Sequence, residues 1–382
     1  MGAHHPRHAA PESAGVRRLA LAVIAPIALA TVVALVVLWP PGLEVPEDEG
    51  SAPEFAGEIV QIERLACPET LDDDVNGCGA ARVLLTEEDE PRTIDVTLPN
   101  GPGAPEVEEG DHVVLIRTET PEGANFSIVD HQRANQLWML AAAFVLAVVA
   151  FGRWRGITAL AGLTVTFALL LFFVVPAILA GEPPLLVAIV GSSAIMLTVL
   201  YLTHGFTLST TVAVLGTLAS LTITGALSAF SVAALHLTGI TDDISTAVGT
   251  SYSVNMEGLL LAGIVIGSLG VLDDVTVTQA ATVGEVARAN PAYGFLQLYR
   301  AGTRVGRSHI ASVINTIILA YAGSSLPLLI LIMANNGSLG GVVTDQVIAQ
   351  EIVRSAVATL GLVAAVPVTT ALAAAVSSRV EA

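Results

Sequence analysis

The chain has 382 residues, is 53% hydrophobic and has a mean hydropathy of +0.72. That composition fits helices that cross a membrane and excludes an ordinary soluble enzyme. The formal charge of −18 excludes a nucleic-acid partner, because such a field repels phosphate.

The charge belongs to one segment. Residues 40–136 hold 23 acids against five arginines, which accounts for the whole −18, and the remainder is neutral. Lysine is absent, so all 16 cations are arginine.

In chain order, a tail of residues 1–18 carrying Arg7, Arg17 and Arg18 leads into an apolar run over 19–39. The run is about 20 residues long, which exceeds an ordinary signal-peptide core. It ends at Trp39-Pro40-Pro41 without a small-x-small cleavage site, so it reads as an uncleaved anchor. Residues 40–136 follow as a separate acidic domain. Within it, 57–62, 81–86, 93–98, 112–117 and 125–129 alternate apolar and polar residues as strands do, between short acidic or Pro/Gly turns. Five short strands predict a small β-barrel-like domain of OB type. Cys67 and Cys78 are the only cysteines; outside the membrane they would form a disulfide. Asp72, Asp73 and Asp74 lie in the loop it closes. They read as a solvated acidic loop, with a divalent cation as the sharper alternative.

Residues 137–376 predict a seven-span bundle, with spans at 137–151, 157–180, 185–202, 208–235, 258–272, 310–333 and 352–376, and 377–382 form a tail. The predicted fold class is therefore an α-helical polytopic membrane protein of about eight spans, with the β-domain between spans 1 and 2. Arg153, Arg155, Arg288, Arg300, Arg304, Arg307 and Arg379 then fall on the same side as the N-terminal arginines. The opposite short loops 181–184, 236–257 and 334–351 have none. This positive-inside pattern places both termini in the cytoplasm and the acidic domain outside.

Polar residues inside an apolar bundle are the functional candidates. At 100° per residue, Gly263, Gly267 and Gly270 form one stripe with Asp274 about 20° from Gly263, while Asp273 is turned about 100° away. Glycine stripes let helices approach, so Asp274 is expected to point into the bundle; the alternative puts both acids at the wet inner interface. Thr210, Thr217, Thr224, Ser228 and Ser231 form a hydroxyl stripe on span 5 that would either line a polar path or bond to a neighbouring helix. Asn315 lies on the same face as Arg304, one helix along. Arg304 and Arg307 are the nearest cations to the acid pair. Glu351 and Arg354, one turn apart, are expected to pair. Thr276–Tyr299 reads as an interfacial or bundle-packed amphipathic helix, and 241–255 as a polar outer loop. His4, His5 and His8 have no companion ligands, so no metal site is expected, and no cofactor is implied. The chain lacks His-Glu-x-x-His, Gly-x-Ser-Gly, Gly-x-Gly-Asp, Walker A and dinucleotide motifs, so no catalytic residue is assigned.

The stretch 257–263, continuing through Leu269-Gly270-Val271-Leu272-Asp273-Asp274-Val275-Thr276, resembles the signature of YibE/F-like bacterial membrane proteins. Glu351-Ile352-Val353-Arg354 with Val366-Pro367-Val368-Thr369-Thr370 resembles that family's last span. The resemblance covers roughly residues 55–376. It implies a multi-pass protein of the bacterial cytoplasmic membrane, and no substrate. Three function classes follow: a secondary permease or channel for an unidentified small solute or ion; an accessory or sensor protein whose outer β-domain binds a protein partner; and an intramembrane enzyme. The lipid bilayer is a partner in each.

Overall fold

A computed structural model describes residues 14–40, 53–67, 75–86, 92–120, 123–334 and 339–380. The acidic triplet 72–74 and the histidines at 4, 5 and 8 lie outside the described residues. The chain divides into two units, Glu44–Arg153 on the one hand and Met1–Leu43 with Trp154–Ala382 on the other.

In the first unit, alternating sequences give five antiparallel strands: β1 (Glu54–Leu65), β2 (Cys78–Leu85), β3 (Arg92–Thr97), β4 (His112–Thr120) and β5 (Gly123–His131). Their order is β3-β2-β1-β4-β5. Three consecutive strands are thus followed by a fourth that returns beside the first, which is Greek-key connectivity. The expectation of a barrel needs correction: β3 and β5 are not hydrogen-bonded to each other, so the sheet stays open. β3 comes near β5 across the seam but is hydrogen-bonded only to β2.

Inward-facing Ile59, Val83, Leu85, Val96, Val113, Leu115 and Phe126 make the core. Gly57 on the central strand sits beneath it; a Cβ there would stand 2.5 Å from Val83 Cγ1. The loop before β3's return is stitched by Asn76, 4% exposed. Its Nδ2 donates to the carbonyls of Pro99 (2.6 Å) and Pro105 (2.8 Å), and its Oδ1 accepts from Val107 N. Cys67 and Cys78 are disulfide-bonded with their Cα atoms 5.1 Å apart.

The helices are α1 (Ala14–Val37), α2 (Ala134–Leu169), α3 (Val175–Leu179), α4 (Pro184–His204), α5 (Leu208–Ala234), α6 (Asp243–Ser251), α7 (Met256–Ala289), α8 (Phe295–Ser324), α9 (Leu326–Ala334), α10 (Leu339–Thr344) and α11 (Gln346–Val380). Six helical stretches among the described residues are long and apolar enough to cross a membrane: Ala20–Val37, Ala134–Leu179, Pro184–His204, Leu208–Ala234, Met256–Ala289 and Gln346–Ser378. The sequence-predicted spans 2 and 3 form one of these, a single stretch broken at Arg153 (φ 51°, ψ −129°) and carrying a π-helical turn at Leu170–Val174. Span 7 corresponds to α8 and α9; the polar, arginine-bearing face of α8 keeps it out of that group.

Of the two readings of the segment after the acid pair, the bundle-packed one describes 276–289: these residues continue α7, and Ala280, Val283 and Ala287 share a buried cluster with Val212, Ala213, Ala373 and Ala374. Within the polar loop 241–255, Asp242 caps a short helix, α6, by accepting from Ser245 N.

α5, α7 and α11 pack most extensively against one another, with α4 on α7 and α8 on α11. Gly216 lies against Thr369 and Gly361 against Thr224, so α5 and α11 run antiparallel at close range. At mid-height, Leu221, Leu272, Val275, Leu362, Ala365 and Val366 form one buried cluster.

Candidate functional site: an acid pair at mid-height of the bundle

α7 starts where Asn255 Oδ1 accepts from Gly258 N (2.7 Å), with Glu257 in its first turn and Arg288 in its last, as the helix dipole favours. Asp273 and Asp274 lie about 25 Å from its start at 1.5 Å per residue, level with the mid-height cluster that holds Leu272 and Val275. They therefore lie near the middle of α7, which continues past them to Ala289.

Their orientation reverses the expectation. Asp274 is exposed and Asp273 is half-buried. The wheel was sound, since Asp274 shares a stripe with Gly263, Gly267 and Gly270, but all four are exposed. Among the described residues nothing comes within 4 Å of a Cβ built on Gly263 or Gly270. The buried face of α7 is instead the branched one, with Leu261, Ile264, Val265, Leu269 and Leu272. Branched residues fill the interior and the glycines are left outside.

Ile266 and Val271, on either side of the stripe, are partly buried against the bundle's apolar clusters, and a Cβ on Gly267 would meet the Tyr321 hydroxyl of α8 at 3.3 Å. The stripe is thus an exposed strip of α7, with Asp274 on it. Asp273 Oδ1 accepts from Asp274 N at 2.8 Å.

Behind the acids lies a polar core that sequence reading missed. The Thr217 and Thr276 hydroxyls share a 2.6 Å bond between α5 and α7. Gln279, 4% exposed, donates from Nε2 to the Gly302 carbonyl (2.8 Å) and to Thr370 Oγ1 (2.7 Å), joining α7, α8 and α11. Gly302 and Gly306 make the room: a Cβ on either would stand 2.7 Å from Val283 or 2.5 Å from Val366. The available signal was a lone glutamine in an Ala/Val/Thr run, visible once the span is extended past the acid pair.

The hydroxyl stripe of α5 bonds within its own helix and, at Thr217, to α7. Thr217, Thr224 and Ser228 are fully buried and donate to the carbonyls of Ala213, Ser220 and Thr224 on their own helix. Thr210 belongs to the helix start, bonded to Thr207, and Ser231 is half-buried. Asn315, Arg304 and Arg307 are exposed on α8. Among the described residues none of Asp273, Asp274, Arg304 and Arg307 joins an ion pair within 4.0 Å. Glu351 and Arg354 do pair, at 3.1 Å. A separate cavity of about 820 Å³ between α1, α4 and the start of α5 is lined by Ile24, Leu35, Leu197 and Tyr201, with no charged residue in its wall.

The family model for YibE/F-like proteins matches residues 140–379. The chain belongs to this family. The YibE/F-like region contains the acid pair, the Gln279 cluster and the exposed glycine strip, and leaves the β-sheet and α1 outside the match. No curated protein and no solved structure matches the chain.

Proposed function

We propose that this protein is a secondary permease for a small cation, or for a solute coupled to a proton, with Asp274 and Asp273 as its charge-binding centre. One observation carries this reading: two carboxylates near the middle of α7, a helix packed among apolar neighbours, one of them on its exposed strip. Acids are costly at that depth and are kept where they bind charge. Asp274 pairs with an α8 arginine, Arg304 or Arg307 of its own or of a neighbouring chain, in one conformation and holds a cation or proton in another. Consecutive side chains on a helix diverge by about 100°, so the two acids form no facing dyad, which weighs against an intramembrane enzyme.

The test is flux in proteoliposomes. Asp274→Asn keeps shape and insertion and should bring cation- or proton-coupled flux down to that of protein-free vesicles. A parent with no flux for any cation, or variants at both acids that match the parent, would sink the reading. The sealed hydroxyl stripe of α5 favours the second class, a membrane-anchored accessory whose β-sheet binds a protein partner. That reading expects no flux at all.

We infer further, from the arginine distribution, that the membrane is crossed eight times with both termini cytoplasmic. An impermeant thiol reagent applied to intact cells should then fail to label Gly156→Cys in a background lacking Cys67 and Cys78. Labelling from outside would overturn the eight-span topology.

A further inference from the structure

α7 and α8 share a face whose chemistry hydrocarbon does not suit. On α7 the exposed stripe of Gly263, Gly267, Gly270, Asp274, Thr278 and Ala281 combines small side chains with one acid. On α8, opposite the buried Gly302 and Gly306, Arg300, Arg304, Arg307 and Asn315 are exposed. Arg307 projects within about 40° of Tyr321 on the helical wheel, and Tyr321 is the residue that borders Gly267. The arginine side and the acid side therefore open in the same direction.

Their depths also match. Gly306 lies against Gln279 and Tyr321 against Gly267, so α8 runs antiparallel to α7 and sets Arg307 about 6 Å along the axis from Asp274, within reach of an arginine side chain. Among the described residues neither Asp274 nor any of the three arginines is in an ion pair.

We propose that this face is the interface of a homodimer. α7 of each protomer crosses α7 of its partner along the glycine stripe, and Asp274 pairs with the partner's Arg307. A second copy is the occupant the face calls for. The face carries both signs of charge at one depth, and a twofold axis brings each sign onto the other. Its small residues let two backbones approach, and Asn315 adds an interhelical hydrogen-bond group. A lipid tail supplies neither countercharge nor hydrogen bond.

The experiment counts photobleaching steps of the fluorescently labelled full chain in dilute lipid bilayers. The parent should bleach mostly in two steps. Gly267→Trp, Asp274→Arg and Arg307→Asp should each reduce two-step events to the chance level, and Asp274→Arg combined with Arg307→Asp should restore them. Should the tryptophan variant fail to fold, Thr278→Cys in the otherwise native chain should give an oxidant-dependent crosslinked dimer. Single steps from the parent at every protein-to-lipid ratio, two steps in all variants, or no crosslink through Thr278→Cys would each overturn the interface. Lost dimers that the double swap fails to restore would overturn the Asp274–Arg307 pairing. None of these readouts depends on flux, so the permease reading and this one fail separately.

Discussion

The β-sheet unit and the helical bundle solve the placement of charge in opposite ways. The sheet's segment carries the whole net charge of the chain, and its described ion pairs stand at the surface, where water screens them. Arg82 meets Asp95 at 3.2 Å and Arg133 meets Asp130 at 2.6 Å, all well exposed; such pairs contribute little to stability. In the bundle, charges are few and balanced overall, yet an acid pair stands at mid-height. Abundant charge in the sheet marks a solvated surface; scarce charge in the bundle marks a site. The same contrast holds for apolar residues. The sheet's core is driven together by water, whereas the bundle's helices leave lipid tails as apolar as themselves and gain mainly from close packing and hydrogen bonds.

The contrast is sharpest for equal cuts in the two cores. Ile59→Ala, at a fully buried position of the central strand, should destabilise the sheet by about 2–5 kcal/mol. Leu272→Ala, equally buried, should cost the bundle clearly less, because the transfer term is missing in lipid. Denaturation of the β-sheet signal and of the helical signal in one protein would separate them; equal losses would break the comparison.

Next in size is the disulfide. It closes a loop of 11 residues, so Cys67→Ser with Cys78→Ser should cost the sheet about 3 kcal/mol by loop-closure entropy and leave the bundle's unfolding unchanged. Reduction of the native protein should do the same.

The smallest effect is electrostatic. The hydrogen bond from Arg133 and then that from the His131 backbone hold the Asp130 carboxyl below its usual value. A depressed carboxylate adds stability above its unfolded pKa, and that contribution disappears as pH falls through its folded pKa. The carboxylate is half-exposed and so screened by water, and Asp130→Asn should change the melting temperature slightly at neutral pH and not at all in strong acid. A difference that grows on acidification would reverse the sign.

Much of this was legible in the sequence. Period-two alternation located all five strands, and apolar length located the long helices, because both signals are set by the solvent each face meets. The acid pair and its wheel position were also readable. The direction of the wheel was not. A glycine stripe is compatible with tight packing and with an exposed strip, and only the partner helices decide; here Leu261, Ile264, Val265, Leu269 and Leu272 took the interior. Closure of the sheet likewise depended on whether β3 and β5 bond across the seam, which no residue pattern dictates. For the α5 hydroxyls the sequence allowed a path or a bond to a neighbouring helix; Thr217 makes such a bond, to Thr276, and which helix supplies the partner could not be read from the stripe.

The source of each partner bears on biogenesis. The Thr224 and Ser228 hydroxyls donate within their own helix and need no neighbour to be satisfied when that helix enters lipid. Gln279 does need neighbours: its two acceptors come from Gly302 and from Thr370, and the second arrives only with the final helix. The bundle thus has a built-in order of assembly, in which synthesis of the last span fastens the third-to-last in place.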